Sequence, residues 1–237
     1  MSTTASDAEA PVPSSPVPTV FITYYFEVYS SWCYWAEPAW AELKRRYAGR
    51  VAFDWRIALM RPEDFPASPG HCDWFYQRSG TVVRSPFMLN SGWVQPDRAA
   101  YVTPDLVVEA ARDFLPPGDE RVRLALGHAA MREGKRVDIL DTAVEIAARA
   151  SEIPADKLRA AAVSDAVRAR VEASTAEFFA HKLSQRPAFI LGNDIGDKVV
   201  FSGVWRLEPL AAALDSLLAD GAAYASYHAH HGTAPAA

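Results

Sequence analysis

The chain reads as an α/β protein, and three observations predict it. Residues 19–28 (TVFITYYFEV) are β-branched and aromatic throughout, the composition of a buried strand. A helical run follows, then a second strand at 51–59 (VAFDWRIAL), and strand, helix, strand in this order predicts a right-handed parallel crossover. Near the other end, 187–191 (PAFIL) and 198–201 flank the turn 192–197 (GNDIGD), the pattern of a β-hairpin.

The elements follow in order. Residues 1–18 are rich in Ser, Thr, Ala and Pro and read as a disordered tail. They have neither a basic start nor an apolar h-region, so no secretory signal peptide is expected. After the first strand, a helix runs to Tyr47 and closes at Gly49. From 61 to 105 the prolines 62, 66, 69, 86 and 96 and the glycines 70, 80 and 92 break the pattern, and loop with short helices is expected. Thr103 and Pro104 form an N-cap and N1 pair for a helix over 103–114. Helical spacing continues over 120–133, 138–150, 154–161 and 164–183. A last helix spans 207–218, and 220–237 reads as a flexible tail. The folded part therefore divides into a first half at 19–60, a loop-rich and helical insertion at 61–184, and a second half at 185–219.

Composition narrows the function. The chain has 237 residues, enough for a sizeable core, and half of them are apolar. A net charge of −5 and the absence of any Lys/Arg block argue against nucleic acid or an anionic membrane as partner. Two cysteines exclude a disulfide scaffold and suit the cytoplasm. No metal is expected. His71, Cys72 and Asp73 are consecutive and converge poorly on one ion, and His228, His230 and His231 sit in the Ala-rich tail.

The candidate chemistry lies where the first strand meets its helix, at Ser30-Ser31-Trp32-Cys33. N–H groups at a helix N-terminus favour an anion, and a thiolate held there has a lowered pKa. Pro38 stands inside the helix, where it must bend it. Trp40 and Trp35 suit core packing. Trp32 is expected to be exposed beside the pocket, where it can stack on a planar substrate.

These features resemble the thioredoxin-fold redox proteins. There a C-x-x-C motif opens the helix, a Pro follows five residues after the second Cys, and a cis-Pro faces the motif. Here the corresponding features are S-x-x-C at Ser30 and Cys33, then Pro38, then Arg186-Pro187. The long helical block resembles the DsbA family, so the resemblance implies a thioredoxin fold with a DsbA-like helical insertion and a cis Arg186–Pro187 bond. Around the motif, Glu27-Val28-Tyr29-Ser30-Ser31-Trp32-Cys33-Tyr34 is similar to the D-x-x-S-P-Y-S run of kappa-class glutathione transferases and 2-hydroxychromene-2-carboxylate isomerases. Arg61-Pro62, Gly203, Arg206 and Glu208 match as well.

That resemblance implies catalytic Ser30 and Cys33. It also implies a glutathione-like thiol held by Ser31, Trp32, Arg186, Pro187, Gly203 and Val204, a small-molecule substrate, and a homodimer, for which 101–114 offers apolar surface. The departures are specific. Ser stands where a DsbA oxidase has its attacking Cys, and a hydroxyl forms no mixed disulfide. Val204 and Trp205 stand where the family grips the γ-glutamyl end with Ser and Asp.

Three functions stay open on these residues. One is a thiol-cofactor isomerase, transferase or reductase acting through Ser30. Another is a thiol–disulfide oxidoreductase using Cys33, with or without Cys72. The third is a non-catalytic thioredoxin-like binder. Cys33 reads equally as a buried core thiol, and Cys72 as incidental.

Overall fold

The computed structural model describes residues 19–95 and 101–232. The expected N-terminal tail, Pro96 and the last five residues lie outside them. The strands are β1 (Val20–Phe26), β2 (Val51–Ile57), β3 (Ala188–Asn193) and β4 (Lys198–Ser202). The helices are α1 (Ser31–Arg46), α2 (Pro69–Val83), α3 (Thr103–Ala111), α4 (Arg121–Met131), α5 (Leu140–Ser151), α6 (Ala155–Ala162), α7 (Asp165–Ala180) and α8 (Leu207–His231).

The four strands form one sheet in the order β2-β1-β3-β4. β1 runs parallel to β2, with Val20 opposite Val51, and antiparallel to β3, with Tyr25 opposite Ala188. The crossover and the hairpin are therefore both present as the patterning requires. β1 is apolar on both faces because both are covered. On one face, the Tyr24 ring stacks on Phe189 at 4.8 Å and meets Trp40 of α1 at 5.1 Å. On the other, Tyr25 meets Phe178 of α7 at 5.8 Å.

Three expectations change. First, 69–83 is one continuous helix of 15 residues rather than loop with short helices. Ser68 caps it by accepting the His71 N–H at 3.2 Å, and Pro69 occupies the first position, where a missing N–H costs nothing. Cys72, Tyr76, Ser79 and Gly80 bury one face, so the pattern of punctuation concealed a helical period. Second, α3 begins at Thr103 with Val102 as its cap residue, and positions 104–111 are all buried. α3 packs on α4, α5, α6 and α7, so most of the apolar stretch offered as a dimer face is interior, and only 112–114 at its end are exposed. Third, α8 continues through 220–231, where alanines and the absence of proline favour helix. That extension is exposed from position 222 onward. Deleting 222–237 should therefore move the melting temperature by less than about 2 °C. A larger fall in a thermal melt would mean that the extension is packed in solution.

Candidate functional site

At the end of β1 the chain turns into α1, and two buried carboxyls hold the turn. Glu27 Oε2 accepts the Tyr29 N–H at 2.9 Å, and Asp105 Oδ1 accepts the Val28 N–H at 3.3 Å. The Ser30 N–H donates to the Glu27 carbonyl at 3.1 Å. Ser30 is the N-cap of α1. Its Oγ accepts the Cys33 N–H at 3.3 Å, so its own proton stays available for donation. Among the described residues the Ser31 and Trp32 N–H groups have no acceptor, which is the ordinary state of a helix start and a ready anion site.

Ser30, Ser31, Trp32 and Arg186 line one cleft of about 220 Å³, together with Tyr29, Met60, Cys72 and Tyr76. The Arg186–Pro187 bond is cis. The Arg186 guanidinium points inward, donating to the Ala58 and Leu59 carbonyls and packing 4.5 Å from the centre of the Phe178 ring. Gly203 donates its N–H to the Pro187 carbonyl at 2.8 Å, at φ +75° where a side chain would be strained. Val204 is half-buried beside it. Trp32 is half-buried rather than exposed, 6.3 Å from the Trp205 ring.

Cys33 lies deeper. It is 3% exposed and lines not the Ser30 cleft but a cavity between α1 and α4, with its thiol still in contact with the Ser30 side chain. Burial pushes its thiol up to about 12, against the lowering effect of Ser30. The lowered thiol expected at this helix start is thus not found at Cys33, because loss of solvent outweighs the helix end there. Cys72 does face the cleft, but burial pushes it up to about 11. Both thiols are free. Iodoacetamide at pH 7.5 should leave both unmodified over minutes in the native protein and label both in denaturant, as mass spectrometry would read. Rapid native labelling of either would contradict this burial.

Several groups in and under the cleft escaped the sequence reading. Asp64 and Arg78 bring opposite charges to its rim. Beneath Ser30, Glu27 and Asp105 are both buried and face each other with Arg186 nearby. Desolvation, reinforced by Asp105, holds the Glu27 carboxyl well above its ordinary range. Asp105 is raised to about 7, again by desolvation, despite the Val28 N–H it accepts. Two such carboxyls side by side share a proton. The sequence signal for Glu27 was its place at the head of the D-x-x-S-like stretch, at the end of an apolar strand; nothing linked it to Asp105 on α3.

A helix-opening Ser-x-x-Cys facing a cis-proline, on a sheet interrupted by helices, defines a DsbA-like thioredoxin fold. Solved structures bear this out. A candidate protein disulfide isomerase from Nitrosomonas europaea matches with a TM-score of 0.69 at 16% identity, covering 85% of this chain and 98% of that one. The cytosolic disulfide reductase DsbM from Pseudomonas aeruginosa matches at 0.66 and 17% identity, over 84% and 98% of the two chains. Pseudomonas aeruginosa DsbA matches at 0.57 and 16%, over 92% and 91%. No family model and no curated protein matches the sequence.

Proposed function

We propose that the protein is a thiol-chemistry enzyme whose cleft binds a low-molecular-weight thiol such as glutathione, with its sulfur at Ser30. The observation that carries this is the hydrogen bond from Cys33 N–H to Ser30 Oγ. It commits the serine's acceptor side to the helix and leaves its proton for an anionic ligand. Cys33, the residue a dithiol mechanism would need, is buried beneath Ser30 and protonated at neutral pH.

Such a thiol fits the donors at the sulfur end. Ser30 Oγ–H, with the Ser31 and Trp32 N–H groups, would hold a thiolate. The main chain before cis-Pro187 suits a peptide-like segment, and Arg78 and Asp64 suit its carboxylate and ammonium ends. At Val204 and Trp205 only backbone groups are polar. When bound, the thiol supplies a nucleophile toward an electrophilic or unsaturated carbon of a small molecule, for isomerisation, transfer or reduction. Ser30 holds the sulfur in its anionic form, and Trp32 and Tyr29 exclude water from it. Support also comes from the matching DsbM fold, which has been solved with GSH. Another observation favours a second reading. Cys72 lines the same cleft, so attack of its thiolate on a disulfide substrate, with release of one thiolate and resolution of the mixed disulfide by glutathione, would make the protein an oxidoreductase.

A glutathione titration followed by thermal melting tests the proposal. At a hundredfold excess over Kd the expected stabilisation is about 2.7 kcal/mol, or roughly 5–10 °C for a chain of this size. No shift at millimolar glutathione would remove it. The proposed setting is the cytoplasm, where DsbM is described. A homodimer is part of the proposal, and with α3 interior its apolar face would draw on exposed Trp74, Val82 and Met88. A monomer mass by light scattering at micromolar concentration would remove it.

A further inference from the structure

The Ser30 cleft is too small to enclose a whole tripeptide thiol. Its volume of about 220 Å³ falls below the roughly 300–1,000 Å³ of pockets that bury most of a ligand. A thiol of glutathione's size with its sulfur at Ser30 fits one end inside and leaves the other in solvent. The charges along the cleft decide which end is held.

Three charged residues line it: Asp64, Arg78 and Arg186. The Arg186 guanidinium is committed to the Ala58 and Leu59 carbonyls. Asp64 closes the short turn 62–64 after β2. Its Oδ2 accepts the Arg61 N–H at 3.0 Å, and its Oδ1 has no donor among the described residues. Arg78 stands on α2. Its guanidinium packs 5.1 Å from the centre of the Trp74 ring and 4.9 Å from that of Phe75, and it makes no hydrogen bond or ion pair among the described residues. The two rings position the guanidinium while its donors stay free. Asp64 and Arg78 thus bring opposite charges to one small cleft without pairing with each other.

We propose that the cleft selects γ-glutamyl thiols by their free α-amino-acid head, with the ammonium at Asp64 and the carboxylate at Arg78, and leaves the opposite end of the thiol outside. The inference rests on the thiol reading of the Ser30 cleft and adds which thiols that cleft takes. Charge balance is the argument. A glycine end is a lone carboxylate, which Arg78 would attract and Asp64 repel. An α-amino-acid head carries both signs on one carbon and satisfies both residues, and the guanidinium suits a carboxylate in the two-pronged manner. On the Gly203 flank, Val204 and Trp205 bring no charged side chain, and Arg206 lines a separate groove beyond Trp205. A thiol altered or enlarged at its carboxyl-terminal end is therefore accepted, and one without the γ-glutamyl head is not.

Titration calorimetry with four reduced thiols tests it: glutathione, γ-glutamylcysteine, glutathione esterified with ethanol at its glycine, and N-acetylcysteinylglycine. The first three should bind within about threefold of one another. N-Acetylcysteinylglycine keeps the sulfur and the glycine end but lacks the head, and should bind about tenfold or more weakly for want of two charged contacts. Asp64→Asn and Arg78→Gln should each weaken glutathione by about threefold to tenfold and leave N-acetylcysteinylglycine unchanged. The asparagine oxygen still accepts the Arg61 N–H, and Arg78 is exposed, so both variants should fold; should one fail, the other decides. N-Acetylcysteinylglycine binding as tightly as glutathione, a large loss on esterification, or indifference of glutathione to the folded variants overturns the head-selective site and leaves the thiol reading standing. Absence of binding by all four at millimolar concentration overturns both.

Discussion

Replacing Ser30 by alanine should lower thiol-dependent turnover by roughly one to two powers of ten. A hydrogen bond to a charged partner contributes about 1.5–3 kcal/mol, and about 1.4 kcal/mol is a factor of ten in rate. The same change removes the cap on the Cys33 N–H, which costs about 1 kcal/mol of stability. A melt must therefore accompany the kinetics, so that lost folding is not read as lost catalysis. Cys33→Ser should cost much less in rate, because that thiol is buried, does not line the cleft and is protonated. Ser30→Cys should add an activity. It creates Cys-x-x-Cys, and a thiolate at position 30 would attack a disulfide, release one thiolate and be resolved by Cys33. Abolition of turnover by Cys33→Ser together with indifference to Ser30→Ala would transfer the chemistry to the cysteine.

The second large effect is on stability and its pH dependence. Asp105 ionises near pH 7 in the folded protein and near 3.8 as a free side chain, and Glu27 is shifted in the same direction. The folded state thus holds these protons more tightly than the unfolded chain. Their contribution is fully present below about pH 4 and declines as pH rises toward 7. Asp105→Asn should flatten that decline. The amide oxygen still accepts the Val28 N–H, and the amide N–H replaces the shared proton facing Glu27. At pH 8 the variant should be more stable than the parent by about 2 kcal/mol, a magnitude set by about 1.4 kcal/mol per unit of raised pKa and reduced for coupling. Urea melts at pH 4.5 and pH 8 measure it. A variant less stable than the parent at pH 8 would show that the ionised pair is compensated, with Arg186 the group to suspect.

The scaffold was legible because each half carries its own period. The aromatic strand at β1, the helix behind Ser30 and the PAFIL hairpin needed no distant partner to be recognised. α2 and the end of α8 were not, for opposite reasons. Pro69 and Gly70 look like breakers unless Ser68 is seen to cap the helix they open, and the alanines after Asp220 carry no apolar stripe to mark a helix. At the site, Ser30 and Arg186 were legible as motif positions. That burial outweighs the helix end at the Cys33 thiol was not, since a helix start sets a field but not how much solvent the packing removes. The Glu27–Asp105 pair was hidden because two carboxyls far apart in sequence meet only through the packing of α3.

The sheet order has a consequence for how the molecule comes into being. β1 lies between its near neighbour β2 and a distant one, with Val20 paired to Asn193. Closing so long a span is entropically expensive, and chains rich in such pairings fold slowly. A nascent chain can form β1, α1 and β2 early, yet it holds an open edge on β1 until β3 emerges. Ser30 stands on the early part and Arg186 on the late one. The cleft between them therefore needs both parts, and no nascent chain that stops short of Arg186 can display it.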